Sequence, residues 1–288
     1  HIEEAGVHSG DSACCIPPFT LSESQVSQLR SITRRLALRL GVVGLLNVQF
    51  AIKDSVVYVI EANPRASRTV PFISKATRIM AGGSLEGFNL PDDERRQSHF
   101  CVKEAVMPFG RFPGADVVLG PEMKSTGEVM GIANNFPGAY AKTQAAVDME
   151  LPKTGTCFLS VCDRDKRAIL PLARDLARMG FKLICTSGTA RALESANIPC
   201  EVIGRVSDPE PNIATLIGEG KIDLMINTPF GQETRSDGYV LRTLAVRQNL
   251  CYVTTLAGAQ AFVSAIDNLR DDNLPIIALQ DLDQWEEK

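Results

Sequence analysis

The chain has 288 residues, of which 44% are apolar and 22% charged, and its formal net charge is −4. That length suggests about two domains of ordinary globular composition. The slight acidity gives no reason to expect nucleic acid or an acidic membrane as partner, and no apolar run reaches the roughly 18 residues of a membrane span.

Eight cysteines (Cys14, Cys15, Cys101, Cys157, Cys162, Cys185, Cys200 and Cys251) form no CxxC pair, and no His cluster accompanies them. They read as thiols of a reducing cytoplasm rather than metal ligands or disulfides. No signal peptide is expected: the sequence lacks an initiator Met and opens inside what reads as a strand. The expectation is a cytoplasmic fragment of a longer protein.

In chain order, residues 1–20 read as a strand and loop closed by Pro17-Pro18. Residues 22–40 predict an amphipathic helix: Ser22 serves as N-cap, Val26, Leu29, Ile32, Leu36 and Leu40 recur at helical spacing, and Gly41 ends it. That stripe is expected to be core. Two β-rich runs then flank Lys53-Asp54-Ser55, which predicts a hairpin over 47–63. With the turn centred on Ser55, Gln49 and Glu61 stand opposite each other, and Asn63 shares their face. Two amide oxygens and a carboxylate are hard ligands suited to Mg²⁺, which fills its shell with waters and phosphates. Arg65 and Arg68 follow at once and suit a phosphate. On spacing alone, an ordinary polar hairpin face explains these residues as well.

Residues 84–98 (with Asp92-Asp93-Glu94-Arg95-Arg96) read as a surface loop, Val102–Phe109 as a strand, 112–131 as ordered turns rich in Pro and Gly, and 134–150 as a helix leading to a boundary near Leu151–Gly155. Beyond it, strands at 156–161, 181–185, 200–203, 222–226 and 251–255 alternate with helices near 165–179, 189–196, 212–218, 238–248 and 257–268. Alternation of this kind predicts an α/β domain with a parallel sheet, and ligands of such sheets bind beyond the carboxyl ends of the strands. Polar residues gather there: Lys166, Thr186-Ser187-Gly188-Thr189 at a helix start, Arg205, and Asn227-Thr228. Together they suit a phosphate. Each alone reads as a cap or a surface charge.

Gln49 with the run Glu61-Ala62-Asn63-Pro64-Arg65-Ala66-Ser67-Arg68-Thr69-Val70-Pro71-Phe72 resembles the metal-binding hairpin of ATP-grasp enzymes, and in detail the large subunit of carbamoyl-phosphate synthetases; residues 1–12 fit the same family. The resemblance implies a fold of two parts, the end of an ATP-grasp α+β domain over 1–150 and a doubly wound, methylglyoxal-synthase-like domain over 151–288. It implies ATP with Mg²⁺ or Mn²⁺ as cofactor, the metal held by Gln49, Glu61 and Asn63, with Gln49 and Glu61 also meeting the nucleotide. Arg65 and Arg68 would stabilise the transferring phosphoryl group. Val7, His8 and Ser9 would line ribose and base, although His8 alone reads as a satisfied loop histidine.

In the family, the adenine pocket's upstream wall and a glycine-rich phosphate-covering loop precede this point. A longer helix is also expected near Thr77-Arg78-Ile79-Met80, so about one helix is deleted or skipped. The family makes carbamoyl phosphate from bicarbonate, ATP and ammonia derived from glutamine, serving pyrimidine and arginine biosynthesis, with a glutaminase small subunit as partner. The full-length form is expected to be oligomeric. The second ATP-grasp unit phosphorylates carbamate; this part alone should not turn over.

The second half resembles the regulatory domain of these subunits, which binds UMP or IMP. By position Lys166, Thr186, Thr189, Asn227 and Thr228 match its phosphate-binding set, with Arg205 where bacterial relatives often carry Lys. True methylglyoxal synthases carry a Gly-Asp-Gln type motif where this chain has Asn227-Thr228-Pro229-Phe230-Gly231-Gln232, and Asp208 is an imperfect candidate for their acid. A sensor is therefore expected, with a stand-alone nucleotide-sensing module as the alternative and a methylglyoxal synthase as the weaker one. In ornithine-activated members an effector binds between the halves; Glu3, Asp11, Glu104, Tyr252 and Thr254 match those residues.

Overall fold

The computed structural model describes residues 2–65, 70–88, 99–112, 116–228, 233–271, 274–278 and 280–282. In chain order the elements are β1 (Cys14–Ile16), α1 (Glu23–Arg39), β2 (Asn47–Lys53), β3 (Val56–Asn63), α2 (Val70–Met80), β4 (Phe100–Val106), β5 (Gly127–Ala133), α3 (Phe136–Ala146), β6 (Thr156–Val161), α4 (Ile169–Arg178), β7 (Lys182–Cys185), α5 (Ser187–Ser195), β8 (Glu201–Val202), α6 (Ile213–Gly218), β9 (Leu224–Thr228), α7 (Glu233–Arg247), β10 (Cys251–Val253) and α8 (Leu256–Asp271). They form two compact units, one of His1–Phe19 with Ser98–Lys288, the other Thr20–Gln97.

In the larger unit a parallel five-stranded sheet has the order β10-β9-β6-β7-β8. The chain starts at the central strand β6, runs outward through β7 and β8, then returns to the other side of β6 through β9 and β10. Alternate residues of β6 feed opposite cores: Cys157, Leu159 and Val161 join α4, α5 and α8 on one face, and Phe158 joins α6 and α7 on the other. Strands covered on both faces read as continuous apolar runs, and Leu224–Thr228 of β9 is buried throughout. The first of these cores continues through α3 (Phe136, Ala139 and Tyr140) to Val102 of the antiparallel sheet β1-β4-β5. Tyr140 and Phe262 meet there with ring centroids 5.9 Å apart.

The smaller unit holds α1, the hairpin β2-β3 and α2. Ser22 caps α1 with a full capping box, its hydroxyl accepting from the Gln25 N–H and the Gln25 Oε1 accepting from the Ser22 N–H at 2.9 Å. Gly41 takes the left-handed conformation beyond the last turn, with φ +59°. The stripe expected to be core is not core: Val26, Leu29, Ile32 and Leu36 are half-buried, and Leu40 is 56% exposed. A two-stranded hairpin gives a helix too little surface to close over. Helix α2 runs unbroken through Thr77–Met80.

Candidate functional site

The hairpin turns through Asp54 and Ser55, both left-handed with φ +50° and +64°. This two-residue turn centres half a residue before Ser55, pairing Lys53 with Val56 and Phe50 with Val59. A centre there would have set Gln49 against Ile60. A bulge between Gln49 and Phe50 takes up one residue and puts Gln49 opposite Glu61 after all. The predicted pair thus forms, through a turn and a bulge that spacing alone did not show. Asn47 pairs with Asn63, so Asn47, Gln49, Glu61 and Asn63 share one solvent-accessible face. Asn47 was missed; its alternation with Gln49 was the available signal. Among the described residues no group of three or more His, Cys, Asp or Glu is arranged to hold a metal ion. A metal on this face would rest on one carboxylate, amide oxygens, water and phosphate, a donor set that fits Mg²⁺ or Mn²⁺. Arg65 is exposed just beyond β3, its N–H bonded to the Asn63 carbonyl at 2.9 Å. Arg68 lies outside the described residues.

Val7, His8 and Ser9 stand in a loop of the larger unit. His8 Nδ1 accepts the Gly10 N–H at 3.0 Å, and the His8 N–H donates to the Gly120 carbonyl at 2.8 Å. Lys103 Nζ donates to the carbonyls of Gly10 at 3.3 Å and Ser12 at 2.6 Å. The loop is pinned on both sides, and His8 helps to pin it.

The six residues of the predicted phosphate set, Lys166, Thr186, Thr189, Arg205, Asn227 and Thr228, line one cavity of about 610 Å³. It opens where β6 and β9 lie side by side while their connections leave in opposite directions, the crevice in which doubly wound sheets bind ligands. Three of the six are fixed by the end of β6. Thr189 Oγ1 accepts the Val161 N–H at 3.1 Å, Thr228 Oγ1 accepts the Cys162 N–H at 3.2 Å, and Asn227 Nδ2 donates to the Ser160 carbonyl at 3.2 Å.

Helix α5 begins two residues earlier than spacing suggested, because Thr186 is extended and serves as N-cap without a side-chain cap bond. Its first-turn amides and positive end therefore face the cavity. Lys166 sits three residues ahead of α4 rather than opening it. Its Nζ pairs with Asp163, whose carboxyl is held below its usual range by that hydrogen bond, and it stands 3.2 Å from where a Cβ on Gly188 would lie. Asp208 Oδ2 accepts the Arg205 N–H at 2.7 Å, so this carboxylate closes a turn. Pro229–Gln232 lie outside the described residues.

Glu3, Asp11, Glu104, Tyr252 and Thr254 also converge, on a second cavity of about 270 Å³ in the same unit. Asp148 joins them, and none of the lining residues is Lys, Arg or His. Burial pushes Glu3 up to about 7, helped by the neighbouring charge of Glu104. Burial likewise raises Glu104, whose oxygens accept from the Ala105 N–H and from Gln144 Nε2, each at 3.0 Å. Asp11 differs. Burial works to raise it, but hydrogen bonds from Ser125 and Lys124 outweigh that and hold it below the usual range. Its oxygens accept those two backbone N–H groups at 2.9 and 2.8 Å. Asp11 thus anchors the wall, while Glu3 and Glu104 are left as crowded carboxyls that a cation would relieve.

Residues 3–80 match the family described as carbamoyl-phosphate synthase L chain, ATP binding domain, and residues 168–254 match the MGS-like domain. A segment of an ATP-binding, ATP-grasp-type domain joined to an MGS-like α/β domain is the class that fold and matches define. The carbamoyl phosphate synthase large chain of Pasteurella multocida is 47% identical over 294 aligned positions, covering 99% of this chain and 27% of that protein. That of Methanobrevibacter smithii is 48% identical, covering 98% and 27%. The carbamoyl phosphate synthase large chain, C-terminal section, of Methanopyrus kandleri is 48% identical over 300 positions, covering 98% and 55%. The chain belongs to the carbamoyl phosphate synthase large-chain family. It spans about a quarter of the length of the large chains it matches, and alignments longer than its 288 residues mean that relatives carry residues it lacks. No helix among the described residues is long and apolar enough to cross a membrane.

Proposed function

We propose that this chain is the effector-binding segment of a carbamoyl phosphate synthase large chain and contributes a metal–ATP hairpin to the phosphorylation of carbamate. The observation that carries the effector reading is the convergence of Lys166, Thr186, Thr189, Arg205, Asn227 and Thr228 on one cavity at the switch point of the sheet. Two cations, hydroxyls and the N-terminus of α5 suit a phosphate monoester, and the volume suits a nucleoside monophosphate such as UMP or IMP. The acidic cavity suits ornithine, whose two ammonium groups would face Glu3 and Glu104.

On the hairpin, Gln49, Glu61 and Asn63 would hold Mg²⁺ or Mn²⁺, which when bound neutralises charge on the ATP phosphates. The chain's own residues orient the transfer: Glu61 presents a carboxylate, the amides direct their oxygens to the same face, and Arg65 offers a fork for the moving phosphoryl group. A glutaminase subunit supplying ammonia and an oligomeric full-length assembly belong to the same reading. A nucleotide-sensing module without catalysis is the second reading, because both cavities lie within the larger unit.

Calorimetric titration tests the site. UMP should bind saturably, Lys166→Ala should abolish the heat, and ornithine should bind the unaltered protein. Failure of UMP to bind removes the effector reading. Carbamate-dependent ATP turnover that vanishes on Glu61→Gln in the full-length protein separates the two readings.

A further inference from the structure

Helix α7 runs past both cavities. Asp237, Gly238 and Leu241 line the phosphate-type cavity, and Ala245 and Val246, further along, line the acidic one. Between them stands Arg242, 1% exposed. Its Nε and Nη2 donate to Asp116 Oδ1 and Oδ2, each at 2.9 Å, and its Nη1 reaches Asn227 Oδ1 at 3.5 Å.

Both ends of this contact lead into a wall. Asp116 heads a loop whose Val117 and Leu119 line the acidic cavity, and the Lys124 and Ser125 N–H groups further along that loop hold Asp11. Asn227 lines the other cavity. Gly238 leaves the guanidinium its place, since a Cβ there would lie 2.6 Å from Nη1 and 3.3 Å from Asn227 Oδ1. Tyr252, on the acidic wall, feels the charges of both Arg242 and Asp116.

We propose that the Asp116–Arg242 pair is a strut that couples the two cavities and sets which end of the Asn227 amide faces the anion. A guanidinium only donates, so Arg242 holds the amide oxygen and leaves Nδ2 on the side of Ser160 and the cavity. A phosphate oxygen only accepts, so the anion needs that donor. A dication that draws Glu3 and Glu104 together moves the wall containing Asp11, and the loop from Ser125 back to Asp116 carries the shift to the guanidinium. Coupling requires that each ligand bind one arrangement of this strut better than the other, and the effect is then reciprocal. Arg242 is a positioning residue: it touches neither ligand. The inference rests on the proposed reading of the two cavities.

The test is calorimetry on the intact protein with UMP and ornithine as probes, each titrated with and without the other. In the unaltered protein ornithine should change the UMP Kd by about fivefold or more, and UMP should change the ornithine Kd by the same factor. Arg242→Lys keeps the charge but loses the fork; the factor should fall below about twofold. Gly238→Ala pushes the guanidinium off Asn227 without removing any charged group, and should do the same. Binding of both ligands with the coupling factor unchanged in folded Arg242→Lys and Gly238→Ala overturns the strut alone, as does a factor of one in the unaltered protein. Absence of UMP binding to the unaltered protein removes the underlying reading and the strut with it.

Discussion

The two cavities of the larger unit are built on opposite plans. The phosphate-type cavity is assembled from strand ends and a helix start, and its polar groups satisfy one another before any ligand arrives: Thr189, Thr228 and Asn227 are tied to the end of β6, and Lys166 is paired with Asp163. The acidic cavity gathers carboxylates from separate elements with no Lys, Arg or His among its described lining residues, so burial and the Glu104 charge raise the cost of ionising Glu3, and burial raises that of Glu104. Loss of Lys166 from the first should weaken binding and leave the fold intact, since its partner Asp163 is exposed. Neutralising Glu3 or Glu104 in the second should strengthen the fold and weaken binding. A site organised by the fold differs in this way from one that its ligand completes.

The harshest way to break the comparison is to remove what stands between the cavities. Asp116→Ala leaves the Arg242 guanidinium, 1% exposed, without its carboxylate. Stripping one partner from a buried pair costs roughly 3–5 kcal/mol, lessened here because Asp116 is 38% exposed. A Tm lowered by roughly 6–12 °C in calorimetry is the expected result for a unit of this size. A shift under about 2 °C would mean that the carboxylate does not hold the buried guanidinium as the geometry indicates.

Next comes Lys166→Ala. Charge-assisted hydrogen bonds contribute about 1.5–3 kcal/mol each, so UMP affinity should fall by about 10- to 100-fold, to the edge of calorimetric detection, with Tm unchanged. Its partner Asp163 is 94% exposed, so nothing buried is left unpaired. A lowered Tm with binding intact would reverse the contrast between the cavities.

Glu3→Gln probes the other side. The folded protein favours the protonated Glu3 carboxyl, so the substitution should raise stability by about 2 kcal/mol at pH 8 and weaken ornithine binding. Unfolding in urea at pH 8 and pH 5 checks it, because most of the gain should be lost at the lower pH, where folded Glu3 is protonated and only the unfolded carboxyl is still partly ionised. A gain that persists in full at pH 5 would point to packing rather than charge.

The contrast also explains what could be read from the letters alone. The phosphate set was legible because strand ends in an alternating pattern fall at one edge of a parallel sheet, and position along the chain was enough. The hairpin face was legible only by coincidence of errors: the turn was centred half a residue late, and the bulge after Gln49 restored the pairing. The acidic residues were found through resemblance, since nothing in the spacing of Glu3, Asp11, Glu104 and Tyr252 announces a shared wall. Arg242 and Asp116 were missed. They lie 126 residues apart, and an arginine on a helix predicts solvent until tertiary packing buries it. The apolar stripe of α1 was misread as core for the complementary reason: periodicity shows which face is apolar, not whether the unit has enough surface to cover it.

The smallest expected effect sharpens the comparison furthest, because it separates the cavities without mutation. Glu3 is pushed up to about 7 by burial and then by Glu104. Its folded pKa lies above its unfolded one, so its contribution to stability is complete below the unfolded value of 4.5 and is lost as pH rises through about 7. A bound dication favours the ionised carboxylate and pulls that pKa back down. Ornithine binding should therefore release a proton near neutrality, and its affinity should increase by about tenfold between pH 6 and pH 8. Titrations in two buffers of different ionisation enthalpy measure the proton directly. Proton release at pH 6.5 that disappears in Glu3→Gln, with ornithine still bound, assigns the linkage to Glu3. Release that survives the substitution would place the titrating group elsewhere in the wall, with Glu104, itself raised by burial, the next carboxyl to substitute.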